Sequence, residues 1–173
     1  MLTSYYSQWS KVWTPGGISI SRSQKNHAYP VYAPLVPGCW SYSDIKPADY
    51  VPFYLNQLSN LNARIVWGEL KEVAINDAIR RFFLDAERAA RVEPVLLCWE
   101  KPGGTSAAFC HRRLVAQWLQ AELGQIVPEG YVSKKGDRVI TPSFDTLCRI
   151  EPDGTFTRLD KETAQGQFTL SLF

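Results

Sequence analysis

The chain has 173 residues, of which 45% are hydrophobic and 21% charged, with a formal net charge of +2 and a pI near 8.3. This length is most simply that of one domain with a sizeable core, and the composition is ordinary for a globular protein. The charge is too small to indicate nucleic-acid binding by itself, and no run of about eighteen apolar residues is present, which excludes a transmembrane helix.

The N-terminal segment is expected to fold into short elements followed by a long loop. Residues 3–13 are predicted to form a short helix that ends at the breaker Pro15-Gly16-Gly17. The segment ISISRS, residues 18–23, is predicted to be a strand. Residues 24–47 are rich in proline and aromatic side chains, among them His27, and show little periodicity, as is typical of a functional surface loop.

We expect the protein in the cytoplasm, because its first residues lack the charged and apolar blocks of a signal peptide. Without an export signal, reduced cysteines are the default state. The four cysteines show no Cys-x-x-Cys spacing, so a disulfide framework is not expected.

The middle of the chain is predicted to be helical and then to form a buried strand. Residues 48–60 and 69–91 carry apolar side chains at helical spacing among polar ones. Residues 95–99, Val-Leu-Leu-Cys-Trp, form a continuous apolar run. Such a run is typical of a strand covered on both faces, as in the centre of a parallel sheet.

The last third of the chain combines one more helix with antiparallel strands. Residues 109–123 carry an apolar stripe, and Gly124 is a natural helix C-cap. Residues 125–129 are predicted to form a brief strand. The turn signal Pro152-Asp153-Gly154 between alternating segments predicts a β-hairpin.

Together these elements predict an α/β fold, with a small, mostly parallel sheet flanked by helices and a C-terminal antiparallel β-hairpin extension. The α/β domain is expected to span residues 1–130. The extension is expected to span residues 131–173 and to pack on the same domain.

A strand, a glycine loop and a helix start at residues 95–123 form the candidate site. Ligands of open α/β sheets bind beyond the carboxyl ends of the strands, against helix N-termini that favour anions. Arg112 and Arg113 are the wrong charge for a helix start unless an anion lies there. Gly103 and Gly104 would let the backbone approach a ligand closely, although they match neither the P-loop nor the dinucleotide fingerprint.

Reactive side chains concentrate at this place. Cys110 is expected in the first turn of the helix beside His111, where the surroundings favour a nucleophilic thiolate. Cys98 and Glu100 alternate along the strand and share a face, so Glu100 could act as a general base or orient His111. A core position is the simpler expectation for Cys98. Arg22 and Ser23, at the end of the first strand, could join Arg112 around one anion.

No metal and no cofactor are expected. Cys98, Glu100, Cys110 and His111 are four ligand types that zinc accepts. However, adjacent side chains on a helix point about 100° apart, so Cys110 and His111 would be poor ligands of one tetrahedral ion.

The segments LLCWEK and FCHRRLVAQWL resemble the motif Leu-Leu-Cys-x-Glu-Lys…Cys-His-Arg of an uncharacterised family, domain of unknown function 488. ISISRS is similar to the early strand of that family, although Ser23-Gln24-Lys25 stands where the family often has proline, and the loop before the second cysteine is longer here. The resemblance spans residues 5–130. It implies a compact α/β fold and no established activity, and its motif positions fall on Arg22, Cys98, Glu100, Cys110, His111 and Arg112.

Three functions remain open at this point. The first is an enzyme in which Cys110, His111 and Glu100 act on a nucleotide, a nucleoside or a nucleic acid held at the anion site. The second is a non-catalytic module that binds the same phosphate-bearing or nucleic-acid ligands. The third is a protein-interaction factor whose C-terminal strand adds to a partner sheet. The oligomeric state is not predicted.

Overall fold

The centre of the protein is a five-stranded, mostly parallel sheet. The computed structural model describes residues 1–6, 15–22, 29–38, 47–99, 110–132, 138–141, 148–150 and 156–158. The strands are β1 (Leu2–Tyr5), β2 (Gly17–Ser19), β3 (Val95–Cys98), β4 (Glu129–Val132) and β5 (Arg138–Thr141). Their order in the sheet is β2-β3-β1-β4-β5, with β1 parallel to both β3 and β4, β2 parallel to β3, and β5 antiparallel to β4. The predicted α/β class is confirmed.

The helix predicted over residues 3–13 is wrong at residues 3–5, which belong to the first strand. Residues 2–5 form β1 at the middle of the sheet, and residues 7–14 lie outside the described residues. The hydroxyl of Ser4 donates to the carbonyl oxygen of Gly130 at 2.6 Å, and Thr3 and Ser4 are fully buried. Pairing with two distant strands therefore overrides the local pattern, since local propensity is a weak signal beside tertiary contacts.

Four helices cover the sheet in the described part of the chain, together with a 3₁₀ turn at Ala33–Leu35. Asn62 caps α2, accepting hydrogen bonds from the backbone amides of Arg64 and Ile65 at 3.1 Å. No helix among the described residues has the length and apolar composition needed to cross a membrane. The helices are α1 (Pro47–Ser59), α2 (Ala63–Phe82), α3 (Ala86–Ala90) and α4 (His111–Leu123).

The predicted single helix over residues 69–91 is wrong in its bounds. Helix α2 begins earlier, after Asn62, and ends at Phe82, and its C-cap Phe83 adopts the left-handed conformation with φ 52°. Asp85 then caps the separate short helix α3 by accepting from the amide of Arg88. Charged residues occur on both sides of this break, so the spacing of apolar and charged residues does not indicate where α2 ends.

Strand β3 is buried on both faces, as its apolar run predicts. Leu96 packs into the larger core cluster with side chains from α1, α2 and α4. Val95 and Leu97 point the other way, into a smaller cluster with Tyr6 and Tyr29. All four residues of β3 are buried, and the strand ends at Cys98, next to the candidate site.

The C-terminal elements agree with the sequence in type and differ in their bounds. Gly124 adopts φ 67° and caps α4, as predicted. Strand β4 begins at Glu129, where the predicted strand of residues 125–129 ends, and it crosses the boundary expected at residues 130 and 131. Strand β5 continues the main sheet, while β6 (Cys148–Ile150) and β7 (Phe156–Arg158) pair antiparallel, as the hairpin signal predicts.

Candidate functional site

Cys98, Cys110 and His111 come together at the carboxyl end of β3. Cys98 is the last residue of the strand, and His111 is the first residue of α4. One ligand atom from each of the three side chains lies within 4.8 Å of the other two, and all three residues are buried. The Sγ of Cys98 lies 3.6 Å from the Nδ1 of His111. The site thus forms where a parallel sheet ends and a helix begins, as expected for this fold class.

A hydrogen bond at the second ring nitrogen, Nε2, holds the imidazole of His111 in place. Its Nε2 lies 2.8 Å from the carbonyl oxygen of Ile20, just beyond the end of β2. A carbonyl oxygen can only accept, so we assign the ring proton to Nε2, which leaves the lone pair of Nδ1 directed at Cys98. The ring of Tyr54 packs edge-on against the imidazole at a centroid distance of 5.6 Å. The ring is therefore fixed in both tautomer and orientation.

Cys110 is the N-cap of α4 and not a member of its first turn. Its backbone is extended, with φ −76° and ψ 130°, and its side chain forms no capping hydrogen bond. The expectation that Cys110 and His111 point about 100° apart assumed that both lie in the helix. Since the chain turns at Cys110, the two side chains converge, and the geometric reason against a shared ligand does not hold.

Two phenols border the cluster and remain protonated at neutral pH. Burial raises the pKa of Tyr6 to about 12, the nearby Cys98 adds to this, and a hydrogen bond with Ser19 at 2.6 Å opposes it. Burial also raises the pKa of Tyr54 well above its ordinary value. The cluster is thus buried beside two aromatic side chains, and electrostatic interactions are stronger in such an interior than in water.

Trp99 follows Cys98 directly in the chain and, unlike the three cluster residues, is partly exposed to solvent. Its indole packs edge-on against the ring of Tyr6, with centroids 5.2 Å apart and an angle of 62° between the planes. The side chain is nevertheless 49% exposed. A flat aromatic surface of this kind, beside a thiol at the end of a strand, can stack against a planar ligand.

Arg112 and Arg113 turn inward and share the carboxylate of Glu129. A guanidinium nitrogen of Arg112 donates to Glu129 and, at 3.5 Å, to the hydroxyl of Thr3. Arg113 binds both oxygens of the same carboxylate, at 3.1 and 3.4 Å. The anion that these two arginines were predicted to meet is therefore present inside the protein, as the Glu129 side chain.

The sequence did not single out Glu129. A single acidic residue in a short strand has no sequence pattern that marks it as functional. The only indication of a nearby negative charge came from Arg112 and Arg113 at the start of α4.

Of the remaining predicted site residues, Arg22 alone lies in the described part of the chain. Arg22 is exposed, just beyond the end of β2. Tyr29 and Tyr32, from the segment of residues 24–47 that is rich in aromatic side chains, are buried. The hydroxyl of Tyr32 donates a hydrogen bond to Glu69 of α2 and so joins this part of the segment to that helix. The other predicted residues lie outside the described residues: Ser23, His27, Glu100, Gly103 and Gly104.

Comparisons with protein-family models, curated proteins and solved structures found no match for this chain. The resemblance to domain of unknown function 488 therefore stays a prediction.

Proposed function

We propose that this protein is an enzyme in which the thiol of Cys98 is the nucleophile and His111 is its general base. One observation carries the proposal. Cys98 Sγ lies 3.6 Å from Nδ1 of His111, whose opposite nitrogen is held by the Ile20 carbonyl oxygen at 2.8 Å. A nucleophile, a base and a group that orients the base are the arrangement by which proteins activate thiols and hydroxyls. In this proposal Cys110, the nucleophile favoured by the sequence, lies beside the Cys98–His111 pair.

The proposed chemistry is nucleophilic attack on an electrophilic carbon of the substrate. The proton of the Cys98 thiol passes to Nδ1 of His111, and the sulfur electron pair forms a bond to that carbon. The leaving group departs with its bonding pair and takes the proton back from the imidazolium. His111 is the first residue of α4, and the positive N-terminal end of a helix favours negative charge close to it.

The proposed substrate class is a nucleotide, a nucleoside or a nucleic acid, with phosphate-bearing small molecules included. Trp99 supports this choice, because a half-exposed indole next to the nucleophile offers a stacking surface for a base. The amides at the start of α4 support it as well, since helix N-termini bind phosphate. We place the protein in the cytoplasm, where thiols such as Cys98 and Cys110 stay reduced.

Thiol labelling tests the Cys98–His111 pair without knowledge of the substrate. Iodoacetamide modification of each cysteine is followed by peptide mass spectrometry in the wild type, in His111→Asn, and in His27→Asn, which is the same exchange at the other histidine. We expect Cys98 labelling to slow by at least about tenfold in His111→Asn, a modest fraction of what a general base contributes to catalysis. Equal rates in all three proteins would contradict the role of His111.

A thermal-shift screen of nucleotides and short DNA or RNA tests the substrate class. A ligand present at about 100 times its Kd stabilises the folded state by roughly 2.7 kcal/mol. The shift should shrink in Trp99→Ala and persist in Ile65→Ala, which removes a comparably exposed apolar side chain from α2. A ligand shift together with ordinary Cys98 reactivity would instead indicate a non-catalytic binding module.

A further inference from the structure

We propose that Cys98, Cys110 and His111 also form a binding site for one zinc ion. The proposal concerns metal binding alone and does not depend on the enzymatic function proposed above. Three side chains of the types that zinc prefers, two thiols and one imidazole, converge within 4.8 Å from two different elements of the fold. Two come from the start of α4 and one from the end of β3.

The spacing fits a tetrahedral ion. Zinc binds sulfur at about 2.3 Å and imidazole nitrogen at about 2.0–2.1 Å, which places a sulfur and a nitrogen ligand about 3.5 Å apart. The observed separation of Cys98 Sγ from His111 Nδ1 is 3.6 Å. Cys110 belongs to the same group, in which all ligand atoms lie within 4.8 Å of one another. Two sulfur ligands of one tetrahedral zinc ion lie about 3.8 Å apart, so the Cys110 sulfur would need to move by only about 1 Å.

The imidazole is already prepared as a ligand. Metal-binding histidines donate their second ring N–H to a carbonyl or carboxylate group, which fixes the tautomer and aims the lone pair at the ion. His111 has this arrangement, with Nε2 held by the Ile20 carbonyl oxygen at 2.8 Å. The edge of the Tyr54 ring packs against it and restrains the plane of the imidazole.

Charge balance favours the ion in this buried place. Two thiolates and a neutral imidazole contribute a charge of −2, which a zinc ion of +2 cancels. A neutral site avoids the large cost of leaving an isolated charge in the interior. On binding, each thiol gives up its proton to solvent, so one zinc ion should release up to two protons.

Three protein ligands leave one position on zinc for water or another donor, as in catalytic zinc sites. The ion would bind the sulfur of Cys98, so the thiolate proposed above as the nucleophile would be blocked in the zinc-loaded form. Metal binding and thiol reactivity are therefore alternative states of one cluster, and each can be measured without the other.

The test uses the full chain, stripped of metal with a chelator and titrated with zinc against a coloured zinc indicator. We expect one ion per chain, release of up to two protons, and protection of both Cys98 and Cys110 from iodoacetamide. Cobalt, used as a coloured substitute, should give the visible bands of a tetrahedral ion and a thiolate charge-transfer band. A folded wild-type chain that binds no zinc, or whose Cys98 and Cys110 are labelled equally fast with and without it, would overturn the proposal.

Variants locate the ion. Cys110→Ser should weaken zinc binding by tenfold or more, with circular dichroism to show that it folds, whereas Cys148→Ser makes the same exchange on the separate two-stranded sheet and should bind normally. Equal weakening in both variants would mean that zinc binds cysteines at random. If zinc binds as expected while His111→Asn leaves the reactivity of metal-free Cys98 unchanged, the zinc site stands and the enzymatic proposal fails.

Discussion

Arg112 and Glu129 form an ion pair in the interior, with their side chains 0% and 2% exposed. Arg113 binds the same carboxylate, so one acidic side chain of β4 holds two basic side chains of α4. Burial of a charge costs several kcal/mol unless it is paired with good geometry. The pair therefore fixes α4 against the sheet, and with it the positions of Cys110 and His111.

Replacing Glu129 by Gln should strongly destabilise the fold, because it removes the negative charge between two buried guanidinium groups. Breaking a buried ion pair from one side typically costs about 3–5 kcal/mol. Urea denaturation measures the change in the free energy of unfolding. Glu87→Gln is the matched control, since it breaks an exposed pair with Arg91 and should cost less than about 1 kcal/mol. Similar losses in the two variants would show that the buried pair contributes no more than the exposed one.

Replacing Phe83 by Gly should stabilise the protein. Phe83 adopts φ 52° and is 88% exposed, so the left-handed backbone strains a side chain that packs against little. Relief of that strain stabilises the folded state by about 1–2 kcal/mol, and the extra backbone entropy of glycine costs about 0.5–1 kcal/mol, so the net gain is up to about 1.5 kcal/mol. The gain is measured by urea denaturation.

Gly124 provides the reverse control for that prediction. It holds φ 67° with open space around it, so Gly124→Ala should lose stability through the backbone alone. A loss of stability in Phe83→Gly would contradict the strain assigned to Phe83.

Stability should fall at alkaline pH partly through Tyr32. Burial, and then the hydrogen bond to Glu69, raise the pKa of Tyr32 above its ordinary value of 10.0. A group whose pKa is raised on folding contributes stability below its unfolded pKa, and that contribution is lost as pH rises from about 10 toward the folded value. Tyr32→Phe should lose about 0.5–1.5 kcal/mol at neutral pH and decline less steeply above pH 10. Denaturation at a series of pH values tests this, and parallel curves would rule out the linkage.

The sequence predicts those elements whose pattern reflects burial. The apolar run of β3, the stripe of α4 and the glycine cap at Gly124 are all found where expected. The sequence fails at β1, because the small polar residues Thr3 and Ser4 give no strand pattern. They are buried only because two distant strands supply partners for their backbone and hydroxyl groups, and no local signal records such pairing.

The candidate site is predictable in its residue types and not in its geometry. Cys98, Cys110 and His111 stand out in the sequence, but their convergence depends on a chain turn at Cys110 and on the Ile20 carbonyl group. A backbone carbonyl has no sequence signature. Arg112 shows the same limit, since its partner Glu129 lies seventeen residues away, on another element.

The central position of β1 has a consequence for the order in which the protein assembles. This strand is synthesised before both of its neighbours in the sheet, which begin at Val95 and Glu129. During synthesis neither edge of β1 can pair with its neighbour until β3 has been made, and the closure of such long loops slows folding. The buried arginines of α4 wait as well, because their counter-charge emerges later than they do. A nascent chain that ends before Glu129 would contain all three residues of the cysteine–histidine cluster and would still lack the counter-charge for Arg112 and Arg113.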